Sequence, residues 1–244
     1  MTRRGFAGGV LLGAAVLGLG GCGGGDDGRT GHSNVAEVRY RMTVEVETPD
    51  GVNSSSGVWG FTLEKPALAL GNPYNSDFAG EAVAVDLPNG RALFALIKDQ
   101  GMLPERHFRQ YNSGDGADRI ANIQSISASV GASTILACRQ VPEGASTPEA
   151  AKPEYDCPIL VTFKDITDST SIARVDPDDL AASFGAGYRL KAITVQVTDE
   201  PVTVGIGKRL SWLDNLSEYR TDPSNPFTNI LPSEIGGLRM GTMK

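Results

Sequence analysis

Between Val38 and Glu47 the chain alternates without a break. Val38, Tyr40, Met42, Val44 and Val46 are apolar, while Arg39, Arg41, Thr43, Glu45 and Glu47 are polar or charged. A period of two sends successive side chains to opposite faces of a strand. One face is therefore wet and the other lies on a core, so the chain must build a sheet that packs against something. Pro49-Asp50-Gly51 is turn chemistry, and the serine-rich stretch to Gly57 reads as a loop. Trp59, Phe61 and Leu63 then resume the alternation as an antiparallel partner.

The pattern repeats downstream. Ala82–Leu87 and Arg91–Lys98 flank Pro88-Asn89-Gly90, a strong hairpin signal. Leu93, Phe94, Leu96 and Ile97 put apolar groups on both faces, which marks a central strand. Pro104–Tyr111 reads as a short helix, with Pro in its first turn. Ile120–Ile126, Ser133–Cys138 and the alternating Ile159, Val161 and Phe163 read as further strands. Asp176-Pro177-Asp178-Asp179 is expected to open a second short helix, with Asp176 as cap, Leu180 and Phe184 on one face and Gly185 closing it. A long strand over Tyr188–Thr198 changes its inward face partway, which places a bulge near Ala192. With no internal repeat and no second boundary, residues 35–244 are expected to form one mainly-β domain. It would be an antiparallel sandwich or a curved sheet with one or two short helices; α+β is the alternative.

Residues 1–21 have the parts of a secretory signal: Arg3 and Arg4, then an uncharged stretch from Gly8 to Leu19. That stretch is shorter than the about 20 apolar residues a membrane span needs, and Gly13, Gly18, Gly20 and Gly21 disfavour a buried helix. Leu19-Gly20-Gly21-Cys22 resembles the lipobox of bacterial lipoproteins. The resemblance covers only residues 1–22. It implies cleavage before Cys22, a diacylglycerol on that thiol, and contact with a membrane through covalent lipid rather than charge. Gly23, where an aspartate would favour inner-membrane retention, points to the outer membrane facing the periplasm. Thr2-Arg3-Arg4-Gly5-Phe6 also resembles the twin-arginine export motif; general secretion with two chance arginines fits equally. Residues 22–34 read as a flexible tether, and His32 within it as solvated. The body resembles uncharacterised bacterial envelope proteins.

Cleavage would remove Arg3 and Arg4 and no acid, so the formal charge of −7 would become −9. Such an acidic body has no electrostatic footprint for nucleic acid. Cys138 and Cys157 bracket a stretch rich in Pro, Ala and Glu that is not expected to fold alone. In an exported protein they read as a disulfide, with the strands ending at Cys138 and starting at Cys157 as neighbours.

Catalytic signatures are weak. His107 is the only histidine of the expected domain, which excludes zinc sites built on His. Asp115 with Asp118, and Asp165 with Asp168, lack the spacing of a calcium loop. The acid pairs Asp178–Asp179 and Asp199–Glu200 are most simply turn and strand-end residues. No metal, cofactor or catalytic residue is assigned. The leading expectation is an envelope lipoprotein whose β domain is a non-catalytic interaction or assembly module for an envelope protein. The alternative is a binder of a small molecule or carbohydrate, with Trp59, Tyr188 and Trp212 as contact residues. An enzyme comes third and would need His107 or an acid pair in a cleft.

Overall fold

The computed structural model describes residues 34–66, 74–97, 103–108, 118–138, 157–213, 220, 222–225 and 235. The protein is mainly β and consists of two antiparallel sheets with short helices. Sheet A holds β1 (Val35–Thr48), β2 (Gly51–Glu64), β3 (Asn75–Ala79), β6 (Ser133–Ile135) and β9 (Arg189–Thr198), in the order β3-β2-β1-β9-β6. Sheet B holds β4 (Val83–Asp86), β5 (Ala92–Ala95), β7 (Leu160–Phe163) and β8 (Ile172–Arg174), in the order β4-β5-β7-β8.

β1 is the organiser. Its even-numbered residues from Ala36 to Thr48 are buried, and its odd-numbered ones line the outer face. Tyr40, Met42, Val44 and Val46 share one core with Trp59, Val83, Val85, Leu93, Ala95, Leu160, Ile193 and Val195, so the inner faces of the two sheets pack on each other. The expected mainly-β fold of antiparallel sheets is therefore present, in a two-sheet arrangement consistent with a sandwich or with α+β. Sheet B is apolar on both sides: Ala92, Phe94, Val161 and Phe163 face away from sheet A and are covered by Ile206, Leu210 and Trp212.

Several elements differ from the expectation. The serine-rich stretch is strand, paired with β1 in unbroken register from Thr48↔Gly51 to Val35↔Glu64. Residues Ile120–Ile126 are helix, within α2 (Arg119–Ser127), not strand. Ile120, Ile123 and Ile126 are spaced by three and form one buried stripe over Ala36, Val38, Phe61 and Val197. The Asp118 carboxylate caps the helix by accepting the Ile120 N–H at 3.1 Å. Tertiary burial and the cap outweigh the β preference of isoleucine. The expected helix after Pro104 is α1 (Leu103–Phe108); residues 109–111 lie outside the described residues. Arg119 pairs with Glu105 of α1 at 2.7 Å, tying the two helices together.

The later helix, α3 (Leu180–Phe184), starts further on than Asp176, and its cap is Asp179, which accepts the Ala182 N–H at 3.1 Å. Asp176 instead holds a turn through the Asp178 N–H at 2.9 Å. Gly185 closes α3 with φ 106°, its N–H donating to Ala181 O at 2.8 Å. Asp179→Ala is expected to lower stability by about 1 kcal/mol, the usual worth of such a cap. Urea denaturation of the variant beside the native protein checks this, and an unchanged midpoint counts against it.

The bulge lies where the pattern put it, within one residue. Glu45 faces Ala192 and Val46 faces Leu190, which leaves Lys191 as the extra residue of β9. β3 and β8 carry little alternation and were not foreseen from sequence.

Candidate functional site

The three aromatics offered as ligand contacts are core residues. Trp59 is 0% exposed, Tyr188 6% and Trp212 2%. They do not meet: Trp59 and Tyr188 belong to the core between the sheets, Trp212 to the second core behind sheet B. Both indole N–H groups are spent on backbone, Trp59 Nε1 donating to Glu81 O at 2.7 Å and Trp212 Nε1 to Ile166 O at 3.1 Å. Ring-on-ring packing (Trp59 on Tyr40 and Phe78, Trp212 on Phe163) accounts for their positions. A binding surface made of these three rings is thereby corrected to packing.

Cys138 and Cys157 form a disulfide, with Cα atoms 4.8 Å apart. Its neighbours are not the adjacent strands expected. β6, before Cys138, pairs with β9 in sheet A, whereas β7, after Cys157, pairs with β5 and β8 in sheet B. The bond therefore joins the two sheets. Both cysteines pack against the inter-sheet core.

The acids have structural roles. The Asp165 carboxylate accepts from both the backbone N–H and the hydroxyl of Thr167, which holds its pKa below the usual carboxylate value. The Asp168 carboxylate accepts the N–H and the hydroxyl of Thr170, and Asp118 is a helix cap. Asp115 lies outside the described residues, as do the signal, Cys22 and the tether through residue 33. Among the described residues no three His, Cys, Asp or Glu side chains gather to hold a metal ion. His107 sits on α1, half-buried.

What remains as candidate functional surface is the outer face and edge of sheet A. Across β1 and β9 the face is laced by ion pairs, Glu47 with Arg189 at 2.6 Å and Glu45 with Lys191 at 3.1 Å. Surface pairs of this kind contribute little stability; here they neutralise the face. At its other end the segment after β9 crosses the sheet. The carbonyls of Asp199 and Glu200 accept from Arg39, and the Glu200 carboxylate pairs with Arg41. Val202 then lies over Gly60, where an added Cβ would be 3.2 Å from its Cγ2. Thr203 takes both backbone groups of Val58: its N–H donates to Val58 O at 3.0 Å and its hydroxyl accepts the Val58 N–H at 2.9 Å. Asp199 and Glu200 are thus the start of a strap across the sheet.

This strap and β3 divide the edge of β2. β3 pairs with Gly60 through Glu64, and Thr203 occupies Val58. From Val52 to Ser56 the alternate residues Val52, Ser54 and Ser56 are exposed, Val52 by 51%. Sequence reasoning missed this stretch because serine and glycine have weak strand propensity. The available signal was the two-residue turn Pro49-Asp50, which carries the register of β1 directly into residues 51–58. No protein-family model, curated protein or solved structure matches this chain.

Proposed function

We propose that this protein is an exported lipoprotein, cut before Cys22 and held at an envelope membrane by lipid on that cysteine, with its β domain as a non-catalytic assembly module in the periplasm. The observation that carries this reading is the Cys138–Cys157 disulfide. Structural disulfides form in oxidising compartments outside the cytosol. The chain has three cysteines, and this bond uses two. The third, Cys22, stands directly after Leu19-Gly20-Gly21 at the end of the uncharged N-terminal stretch, where the lipobox chemistry requires a thiol. No described helix is long and apolar enough to cross a membrane. Two acyl chains anchor a protein firmly, at about 0.8 kcal/mol per buried CH₂. Assembly is favoured over catalysis because Trp59, Tyr188 and Trp212 are packed in the cores and Asp118, Asp165, Asp168 and Asp179 are spent on caps and turns, whereas among the described residues nothing pairs with the Val52–Ser56 edge of sheet A.

Cys22→Ala is expected to move the protein from the membrane pellet to the soluble fraction of lysed cells. Mass spectrometry of the native protein should find Cys22 as a lipid-modified N-terminus. A variant that still sediments with membranes, or a native chain with residues 1–21 retained and a bare thiol, overturns the anchor.

A further inference from the structure

We propose that the open edge of β2, Val52–Ser56, docks a second copy of this chain by antiparallel strand addition about a two-fold axis through Ser54. This deepens the assembly reading above and is independent of the lipid anchor.

A two-residue turn sets Thr48 opposite Gly51, so residues 51, 53, 55 and 57 bond to β1 and the alternate residues turn their N–H and C=O outward. Val58 agrees, because both its groups are held by Thr203 on the far side from β1. Val52, Ser54 and Ser56 therefore present outward donors and acceptors at exposed positions. The edge also lacks the usual protection against strand addition. Between Val52 and Ser56 there is no charge, no Pro and no register shift. β3, at the end of the same sheet, is guarded: its Asp77 carboxylate takes the Phe78 N–H at 2.8 Å.

Two features point to a second copy as the occupant. An antiparallel edge is its own complement, and the three outward residues are symmetric about Ser54. A two-fold axis there sets Ser54 against Ser54, and Val52 of each copy against Ser56 of the other, forming about six hydrogen bonds, two at each residue pair. Charge is the second. The chain carries a formal −7, so like copies repel except where charge is missing. Val52 through Val58 has no ionisable side chain, Glu45 and Glu47 on the neighbouring strand are neutralised by Lys191 and Arg189, and Asp50 in the turn is the one exposed acid beside the stretch in sequence.

The pairing would bring the two Ser54 Cα atoms to about 5.5 Å, within disulfide reach. In the full chain, Ser54→Cys in membranes and soluble fractions treated with diamide is expected to give a covalent dimer on a non-reducing gel. Glu64→Cys, at the end of β2 covered by β3, should give only the background of the native cysteines. By sedimentation of the purified full chain, Ser54→Pro is expected to weaken self-association by about tenfold or more, since it removes a donor that β1 does not use. The thermal transition of the fold should stay in place. Should Ser54→Pro fail to fold, Ser54→Lys, which sets two like charges opposite each other on the solvent face, decides by the same measurement.

A native chain that stays monomeric at about 100 μM, well above the micromolar range of ordinary associations, overturns the proposal. So does equal crosslinking from Glu64→Cys, or undiminished dimer in a folded Ser54 variant. A monomer whose edge takes only an extended peptide of another protein also overturns it. A crosslinked dimer in the soluble fraction upholds the pairing and defeats the anchor; a membrane-bound monomer does the reverse.

Discussion

Trp59→Ala is expected to lower the unfolding free energy by about 3–5 kcal/mol, the cost of truncating a large buried aromatic in a packed core. Trp59 is fully buried among residues of both sheets. Tyr40 and Phe78 meet it edge-on, each ring centroid 5.8 Å away. The backbone is moulded to the indole as well. Gly80 sits at φ 150°, and a Cβ there would come within 2.6 Å of Trp59 Cδ1. Removing the ring leaves a cavity that cannot close without shifting β1, β3 and the Gly80 turn together, and it strips Glu81 O of its donor. Trp59→Phe keeps most of the volume and loses the hydrogen bond, so its cost should be nearer 1–2 kcal/mol, roughly one bond plus imperfect packing. Equilibrium urea denaturation followed by circular dichroism measures both. A loss below about 1 kcal/mol for Trp59→Ala would show that the core relaxes around the gap.

The same residue shows where sequence was sufficient and where it was not. The alternation from Val38 to Glu47 and the turns at Pro49-Asp50-Gly51 and Pro88-Asn89-Gly90 are local signals, and each sits where the pattern put it. Class of fold, the first strand, the second hairpin, the β9 bulge and the cysteine pair were legible for that reason. Ile120–Ile126 reads as a strand from its β-branched residues, whereas the three-residue spacing of Ile120, Ile123 and Ile126 makes one helix face that β1 and Phe61 bury. The alternation places Trp59 on the inward face of its strand without separating pocket from core, because an aromatic there has the same sequence signature in either setting. Burial is a property of the assembled sheets, decided here by Val83, Leu93 and Ala95 from a hairpin that follows in the chain.

The candidate site is non-local in the same sense. Nothing in Val52-Asn53-Ser54-Ser55-Ser56 announces an edge. It becomes one because β3 is only five residues long and stops at Gly60, and because Thr203, far along the chain, occupies Val58 and no more. Strand order and strand length determine which backbone groups are left over, and neither is written in a local period.

Loss of the Cys138–Cys157 bond is expected to destabilise the protein by about 3 kcal/mol. The cysteines are 19 residues apart, and the loop-closure entropy for a ring of that size gives this value. Position argues that the effect survives in this fold. A disulfide between neighbouring strands of one sheet duplicates a link that the hydrogen-bond ladder already makes. This bond spans from the end of β6 in sheet A to the start of β7 in sheet B, where no ladder joins the elements. β6 is only three residues long with Ile135 exposed, and Leu136 and Cys138 just after it pack into the inter-sheet core beside Cys157. The double variant Cys138→Ala, Cys157→Ala should therefore lose β6 from β9 before the rest of sheet A opens. Hydrogen exchange resolves this order: faster exchange at the Leu136 N–H, which donates to Ile193 O, with Val44 and Val46 of β1 still protected. Denaturant melts of the oxidised and reduced native chain supply the energy. A difference under about 1 kcal/mol, or uniform loss of protection across β1 and β6, would mean that the seam is held by packing alone.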